Sequence, residues 1–216
     1  MEQLPTLDPG VTYLDADGPD ALYRLVGRHL DERPGPAYWV DACNRAAPAA
    51  LYEELSRQAC RSLRVARAFT GYQHHELVRS LPGRVRPAAS LVVAPAVAAP
   101  YADEDVPEYE ADAMCAATLE LLGAVATAVD VPVLVTADAA PYATDVRAAA
   151  DRTLEATATR AGLRVDGRGF RTDVYVDEWG YQTTIPYWTD LLGVAPERAV
   201  GSVRRHASPA PGEVPG

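Results

Sequence analysis

VARAFTGYQHHELVRSL, residues 65–81, joins two kinds of local structure, and the junction sets the architecture. Its start continues an extended run from Leu63 through Arg64, Val65 and Ala66, which reads as a strand. Residues 72–81 read as a helix. Upstream, Ala37, Tyr38, Trp39 and Val40 read as a buried strand, with Asp41 at its C-terminal end. Between these strands a helix is expected over 48–61, with Leu51, Leu55 and Ala59 on one face. Gly18, Pro19 and Asp20 open an earlier helix, because proline is tolerated at the first helical position. Leu22, Leu25, Val26 and Leu30 follow at helical spacing, and the turn ERPGP ends it. Residues 1–18, rich in Pro, Gly and Asp, read as an irregular lead-in.

Downstream the alternation continues. Residues 90–93 read as an apolar strand, residues 111–129 as a long Ala/Leu-rich helix, and residues 131–136 as another apolar strand. The acidic loop YADEDVPEYEAD lies between the first two. A short loop and a helix then lead to two antiparallel strands, over 156–165 and 170–176, with Gly167 and Gly169 in the turn. A last short helix follows Pro186, and the Pro/Gly-rich tail 202–216 is expected to be disordered. The expectation is one domain over 1–201. It is an α/β domain with a mainly parallel sheet, helices on both faces and an antiparallel edge.

The chain has 216 residues and a net charge of −10. All 20 basic residues are arginine, against 30 acidic ones. With no lysine there is no Schiff-base lysine and no phosphate-binding lysine. The acid excess without lysine resembles the proteins of salt-accumulating haloarchaea, whose carboxylates are screened at a Debye length of about 3 Å in 1 M salt. A GC-rich genome also replaces Lys by Arg, but it does not account for the acid excess. No run approaches about 18 uncharged apolar residues, and the N-terminus has no basic or apolar signal region. Cys43, Cys60 and Cys115 form no CxxC pair. A cytoplasmic protein with small buried thiols is expected.

Four segments, in order, resemble the core of the RecA/RadA recombinase superfamily, and together they cover about residues 11–166. VARAFTGYQHHELVRSL resembles its V-A-R-A-[FY] strand and the helix that follows. AYWVDACNRAAPAALYE resembles the strand end I-D-T-E-N-x-F-x-P-x-R. ASLVVAPAV resembles the apolar strand that normally ends in Asp. VDVPVLVTADAA resembles the strand that normally ends in T-N-Q. The resemblance implies a RecA-like P-loop NTPase-type core.

Each position that the family uses for ATP departs from the pattern. With Leu22 on the first helical leucine, Gly18 matches the last glycine of GxxxxGK[ST]. Pro19 then stands where Lys is required, Asp20 stands for Ser/Thr, and Tyr13 stands for the first Gly. Phosphate needs backbone N–H groups and a cation. Here Pro19 removes one N–H, and Asp15, Asp17 and Asp20 repel the ligand. The water-activating Glu falls at Cys43, the Mg²⁺-supporting Asp at Ala94, and the sensing Gln near Asp138. The expectation is a degenerate nucleotide site without cofactor, metal or ATP hydrolysis. No basic residue lies between Leu91 and Val146, which argues against direct DNA binding in the loop that the family uses for it. Neither Phe69 nor Phe170 fits the family's Phe-x-x-Ala arm, so the chain is not expected to donate one.

Other candidates compete. His74 and His75 are adjacent on a helix and point about 100° apart, so they do not converge on a metal. Cys43 at a strand end, with a histidine nearby, is an alternative reactive group in an emptied cleft. Trp179, Tyr181, Tyr187 and Trp188 suit either a packed edge or a partner surface. The first expectation is a non-catalytic RecA/RadA-like accessory or scaffold subunit with a RecA-type protein partner, in DNA recombination or repair. The alternatives are a regulator of a KaiC-like ATPase and the Cys43 enzyme.

Overall fold

In the computed structural model, the stretch GVTYLDA is not a lead-in but strand β1 (Gly10–Ala16). The structure describes residues 4–42, 44, 46–137, 141–159, 162–167, 170–177 and 180–183. Pro9 and the three aspartates of DADGPD flank a short run of Val, Thr, Tyr and Leu. Those four suit a pleated, buried strand, and packing there outweighs the turn-forming flanks. β1 pairs in parallel with β5 (Pro132–Val135) on one side and with β6 (Arg152–Thr159) on the other. The Asp151 carboxylate accepts the Val11 N–H at 2.7 Å, which fastens the start of β1 to the start of β6.

The remaining strands are β2 (Ala37–Asp41), β3 (Leu63–Arg67), β4 (Leu91–Ala94), β7 (Gly162–Gly167), β8 (Phe170–Asp177) and β9 (Gly180–Thr183). The sheet order is β3-β2-β4-β5-β1-β6-β7-β8-β9. The first six of these are parallel and the last three add antiparallel pairs. The chain is thus α/β, with a mostly parallel sheet and an antiparallel edge. The strand expected over 156–165 is a hairpin instead: β6 ends at Thr159 and β7 begins at Gly162, and the two pair antiparallel.

Helix α1 (Asp20–Glu32) buries Leu22, Leu25, Val26 and Leu30 as its spacing requires. The helix expected over 48–61 is two helices, α2 (Pro48–Glu54) and α3 (Arg57–Ser62). Ser56 breaks it. Its backbone is extended (φ −61°, ψ 157°), and its hydroxyl accepts the Ala59 N–H at 3.1 Å as an N-cap. These three helices cover one face with a core that includes Leu14, Trp39, Leu91 and Leu134. On the other face lie α4 (Gly71–Arg84), α5 (Glu108–Val129) and α6 (Ala143–Ala149), over Tyr13, Tyr38, Val40, Val92 and Val133. Residues alternate between the two cores along each strand.

By length and composition α5 could cross a bilayer. Its Ala111, Cys115, Thr118, Leu122, Val125 and Ala126 are buried, and it packs against α4, α6, β1 and β5. The chain divides into Met1–Pro186 and Tyr187–Gly216. The described residues all lie in the first unit. The helix expected after Pro186 and the tail lie outside the described residues.

Candidate functional site

In an open parallel sheet, ligands bind beyond the carboxyl ends of the strands. At the ends of β1, β4 and β5 there is a cleft of about 160 Å³, lined by Ala16, Asp17, Gly18, Pro19, Pro95 and Thr136 among others. Ligand pockets usually hold about 300–1,000 Å³. The cleft is small because both of its walls close over it.

The first wall is the passage from β1 to α1. β1 ends at Ala16 and α1 begins at Asp20, so only Asp17, Gly18 and Pro19 connect them. Tyr13, placed by the resemblance at the first loop glycine, is a buried strand residue. Arg147 lies over its ring, 5.2 Å from the centroid. Burial, with the Asp15 charge adding to it, raises the Tyr13 hydroxyl pKa. Gly18 is exposed, and a Cβ there would meet nothing within 4 Å. No close backbone approach therefore calls for a glycine at this point. Pro19 is the N-cap of α1, its carbonyl accepts the Tyr23 N–H, and Asp20 occupies the first turn. That carboxylate complements the helix dipole from within the chain.

The second wall is the end of β4. Ala94 is fully buried. After Pro95 the chain turns through Ala96 in the left-handed region (φ 48°). Thr136 pins the turn: its hydroxyl accepts the Ala96 N–H at 2.8 Å and its carbonyl accepts the Val97 N–H at 3.0 Å. Where the resemblance expects a metal-supporting carboxylate, backbone and a threonine fill the mouth. Cys43 and Asp138 lie outside the described residues.

Beside this cleft stands an ion pair that motif reading passed over. Asp41 is fully buried at the end of β2. One of its oxygens accepts the Ala46 N–H at 2.7 Å and the other accepts Arg67 Nε at 2.7 Å. Arg67 also donates to the Ala46 carbonyl at 3.0 Å. The arginine of the V-A-R-A-F stretch thus clamps the loop that follows β2. A charged residue at the end of an apolar strand was the available signal.

His74 is fully buried, and its Nδ1 lies 2.8 Å from Tyr101 Oη. Tyr101 Oη lies 2.7 Å from Thr118 Oγ1, which lies 3.1 Å from His75 Nδ1. The two histidines are therefore joined by one hydrogen-bonded chain. No group of three metal-ligating side chains occurs among the described residues. Burial, with His75 beside it, lowers the His74 pKa to about 4. Its Nε2 has no partner. The proton order of least cost runs from His74 Nδ1–H to Tyr101, from Tyr101 to Thr118, and from Thr118 to His75. It leaves a bare lone pair at Nε2 instead of a buried N–H.

The described thiols are not activated. Burial, with Asp145 and Asp112 nearby, pushes Cys115 up to about 11, and burial raises Cys60. The acidic loop passes into α5, where Glu110 accepts Tyr72 Oη at 2.7 Å and Tyr109 Oη at 2.8 Å. Those bonds hold its carboxyl below the usual range. Phe69, Tyr72 and Tyr109 are exposed aromatics that the sequence did not single out. Of the expected partner residues, Tyr181 lies in β9 opposite Val176. Trp179, Tyr187 and Trp188 lie outside the described residues. No protein-family model matches the chain, and no curated protein matches its sequence.

Proposed function

We propose that this chain is a non-catalytic RecA/RadA-like core that serves as an accessory or scaffold subunit of a RecA-type ATPase in DNA recombination or repair. One observation carries the pseudo-ATPase part. The cleft beyond β1, β4 and β5 has a three-residue loop, a proline and two carboxylates where phosphate binding needs a longer loop and a cation. The strand–loop–helix order of a P-loop is kept, since β1 runs directly into α1. The four resembling segments support the family. An accessory role follows from a retained fold with an emptied site, and function is argued from the site rather than from the fold.

Thermal melting with millimolar ATP or ADP and Mg²⁺ in concentrated KCl tests this. A ligand that binds the folded state raises the melting point in proportion to RT ln(1 + [L]/Kd). No shift is expected. A clear Mg²⁺-dependent rise would restore a nucleotide role at this cleft. Direct titration against a purified RecA-type recombinase tests the partner, and saturable binding is expected.

A further inference from the structure

Residues 91–146 include no basic residue, and six carboxylates fall close together within them: Asp103, Glu104, Asp105, Glu108, Glu110 and Asp112. None of the six forms an ion pair among the described residues. They do not converge on one point either, since no group of three metal-ligating side chains occurs among the described residues. Negative charge spread in this way suits a partner whose cations are strung along a chain rather than a single ion.

The frame that carries these carboxylates is fixed. Gly71 opens α4 directly against it. A Cβ there would meet the Pro100 carbonyl at 2.7 Å, Val106 at 3.1 Å and Tyr101 at 3.3 Å, so only glycine allows the approach. Tyr101 and Val106 are buried at the two ends of the stretch 102–105, whose own residues are exposed. Beside this staple stand two tyrosines, Tyr72 in the first turn of α4 and Tyr109 in the first turn of α5. One Glu110 oxygen accepts Tyr72 Oη at 2.7 Å and the other accepts Tyr109 Oη at 2.8 Å. Tyr72 is nevertheless 49% exposed and Tyr109 74%. Their polar tips are spent on Glu110, so what they offer to solvent is ring surface. Two exposed rings with an ionised carboxylate between them match a planar cation. The ring faces attract it, and the carboxylate neutralises it.

We propose that the first turns of α4 and α5, with the acidic loop 102–107, form a docking surface for an arginine-bearing segment of a partner protein. One guanidinium lies on the rings of Tyr72 and Tyr109 beside Glu110, and further arginines of the segment meet the loop carboxylates. Arginine fits better than lysine. Its guanidinium is flat, weakly hydrated and forked toward carboxylates, whereas an ammonium holds its water. In concentrated salt long-range attraction is screened, and stacking at contact distance remains. A nucleic acid does not fit, because its phosphates would face carboxylates that no cation neutralises. The inference deepens the accessory-subunit reading and rests on it only in requiring a protein partner.

The test uses the full chain and a fluorescent peptide, Gly-Arg-Gly-Arg-Gly-Arg-Gly, in about 1 M KCl. There the Debye length is about 3 Å, so only contact-distance pairs survive. The comparison probe is the same peptide with lysine at the arginine positions. Saturable binding of the arginine peptide is expected, with the lysine peptide clearly weaker. Tyr109→Ala should weaken binding about fivefold, while Tyr109→Phe, which keeps the ring, should retain most of it. Glu110→Gln should also weaken it about fivefold. Glu120→Gln, exposed further along α5, should leave it unchanged. Tyr109 is exposed and Glu110 half-exposed, so these variants keep the fold, and an unchanged melting point checks that. The proposal is overturned if the arginine peptide does not bind, if the lysine peptide binds as tightly, or if neither Tyr109→Ala nor Glu110→Gln weakens binding. Self-association of the chain alone that Glu110→Gln abolishes would also overturn it, by assigning the surface to a second copy. A chain that bound a recombinase but not the peptide would keep the accessory reading and lose this surface. One that bound the peptide but no recombinase would do the reverse.

Discussion

Asp41 and His74 are the two buried titratable groups whose neighbours define them most sharply. Asp41 is fully buried, while Arg67 keeps about a third of its side-chain surface. Removing the carboxylate by Asp41→Ala leaves the Ala46 N–H and a guanidinium without their acceptor. The expected loss is about 3 kcal/mol, at the low end for a buried pair because Arg67 reaches solvent. Urea denaturation of Asp41→Ala, Arg67→Ala and the double variant checks this. A coupling below about 0.5 kcal/mol would mean that the clamp is only backbone packing. For His74 the folded pKa is lowered to about 4 from an ordinary 6.5. Between those values the unfolded chain binds the proton and the folded chain does not, so stability rises with pH. His74 stabilisation is therefore complete above about pH 6.5 and is lost as pH falls toward 4, a change on the order of 3 kcal/mol. His29, lowered by burial, acts in the same direction. In His74→Gln the slope of stability against pH between 6.5 and 4 should flatten. An unchanged slope would assign the acid sensitivity to other groups.

Short local signals decide where elements begin and end, and they explain both what was legible and what was not. The helix of residues 111–129 and the strands around Trp39, Val92 and Leu134 were readable because long apolar periods outweigh any local alternative. β1 was hidden, although it sits inside the sheet, because four strand-forming residues stood between turn formers. The split of α2 from α3 rests on one hydroxyl, and the same period runs through Leu51, Leu55 and Ala59 on both sides of it. Ser56→Ala should cost about 1 kcal/mol, read as a lower melting point. No change would show that Leu55 packing alone holds the break. α5 ends on Asp130 in the left-handed region (φ 54°), which glycine occupies without steric cost. An acidic residue there also faces the negative end of the helix. Asp130→Gly is expected to stabilise the chain by about 0.5–1 kcal/mol, measured by thermal melting. At the candidate site the missing lysine was plain from composition. The closure by Thr136 and Ala96 was not, because it depends on hydrogen bonds from the turn after β4 to the hydroxyl and carbonyl of Thr136, just past β5. Nor could the open edge at β3 be foreseen, since strand order alone decides which strand lies outermost.

Over the whole molecule the distribution of charge matters more than the total. Thirty acidic residues face twenty arginines, and seven of those arginines fall within residues 55–90. The rest of the surface is therefore more acidic than the net charge of −10 suggests, and it repels itself in the folded state more than in an expanded chain. Pairs such as Arg28–Glu32, and Arg147 with Asp15 and Glu155, relieve little of this, since exposed pairs are worth about 0–1 kcal/mol. Salt shortens the reach of that repulsion from about 30 Å at 0.01 M to about 3 Å at 1 M. The melting point should accordingly climb steeply as KCl rises through this range and keep climbing more slowly beyond it, where the salt acts on apolar burial. Sodium sulfate should shift the curve further than KCl at equal ionic strength in the upper range and match it in the lower. Two controls separate the causes. Replacing Asp103, Glu104 and Asp105 together by Asn and Gln should raise stability at low salt and leave it unchanged at high salt, because screening has already removed their repulsion there. A melting point that is flat or falling with KCl would mean that the carboxylates are effectively compensated in the fold, and the acid excess would then carry no adaptation to concentrated salt.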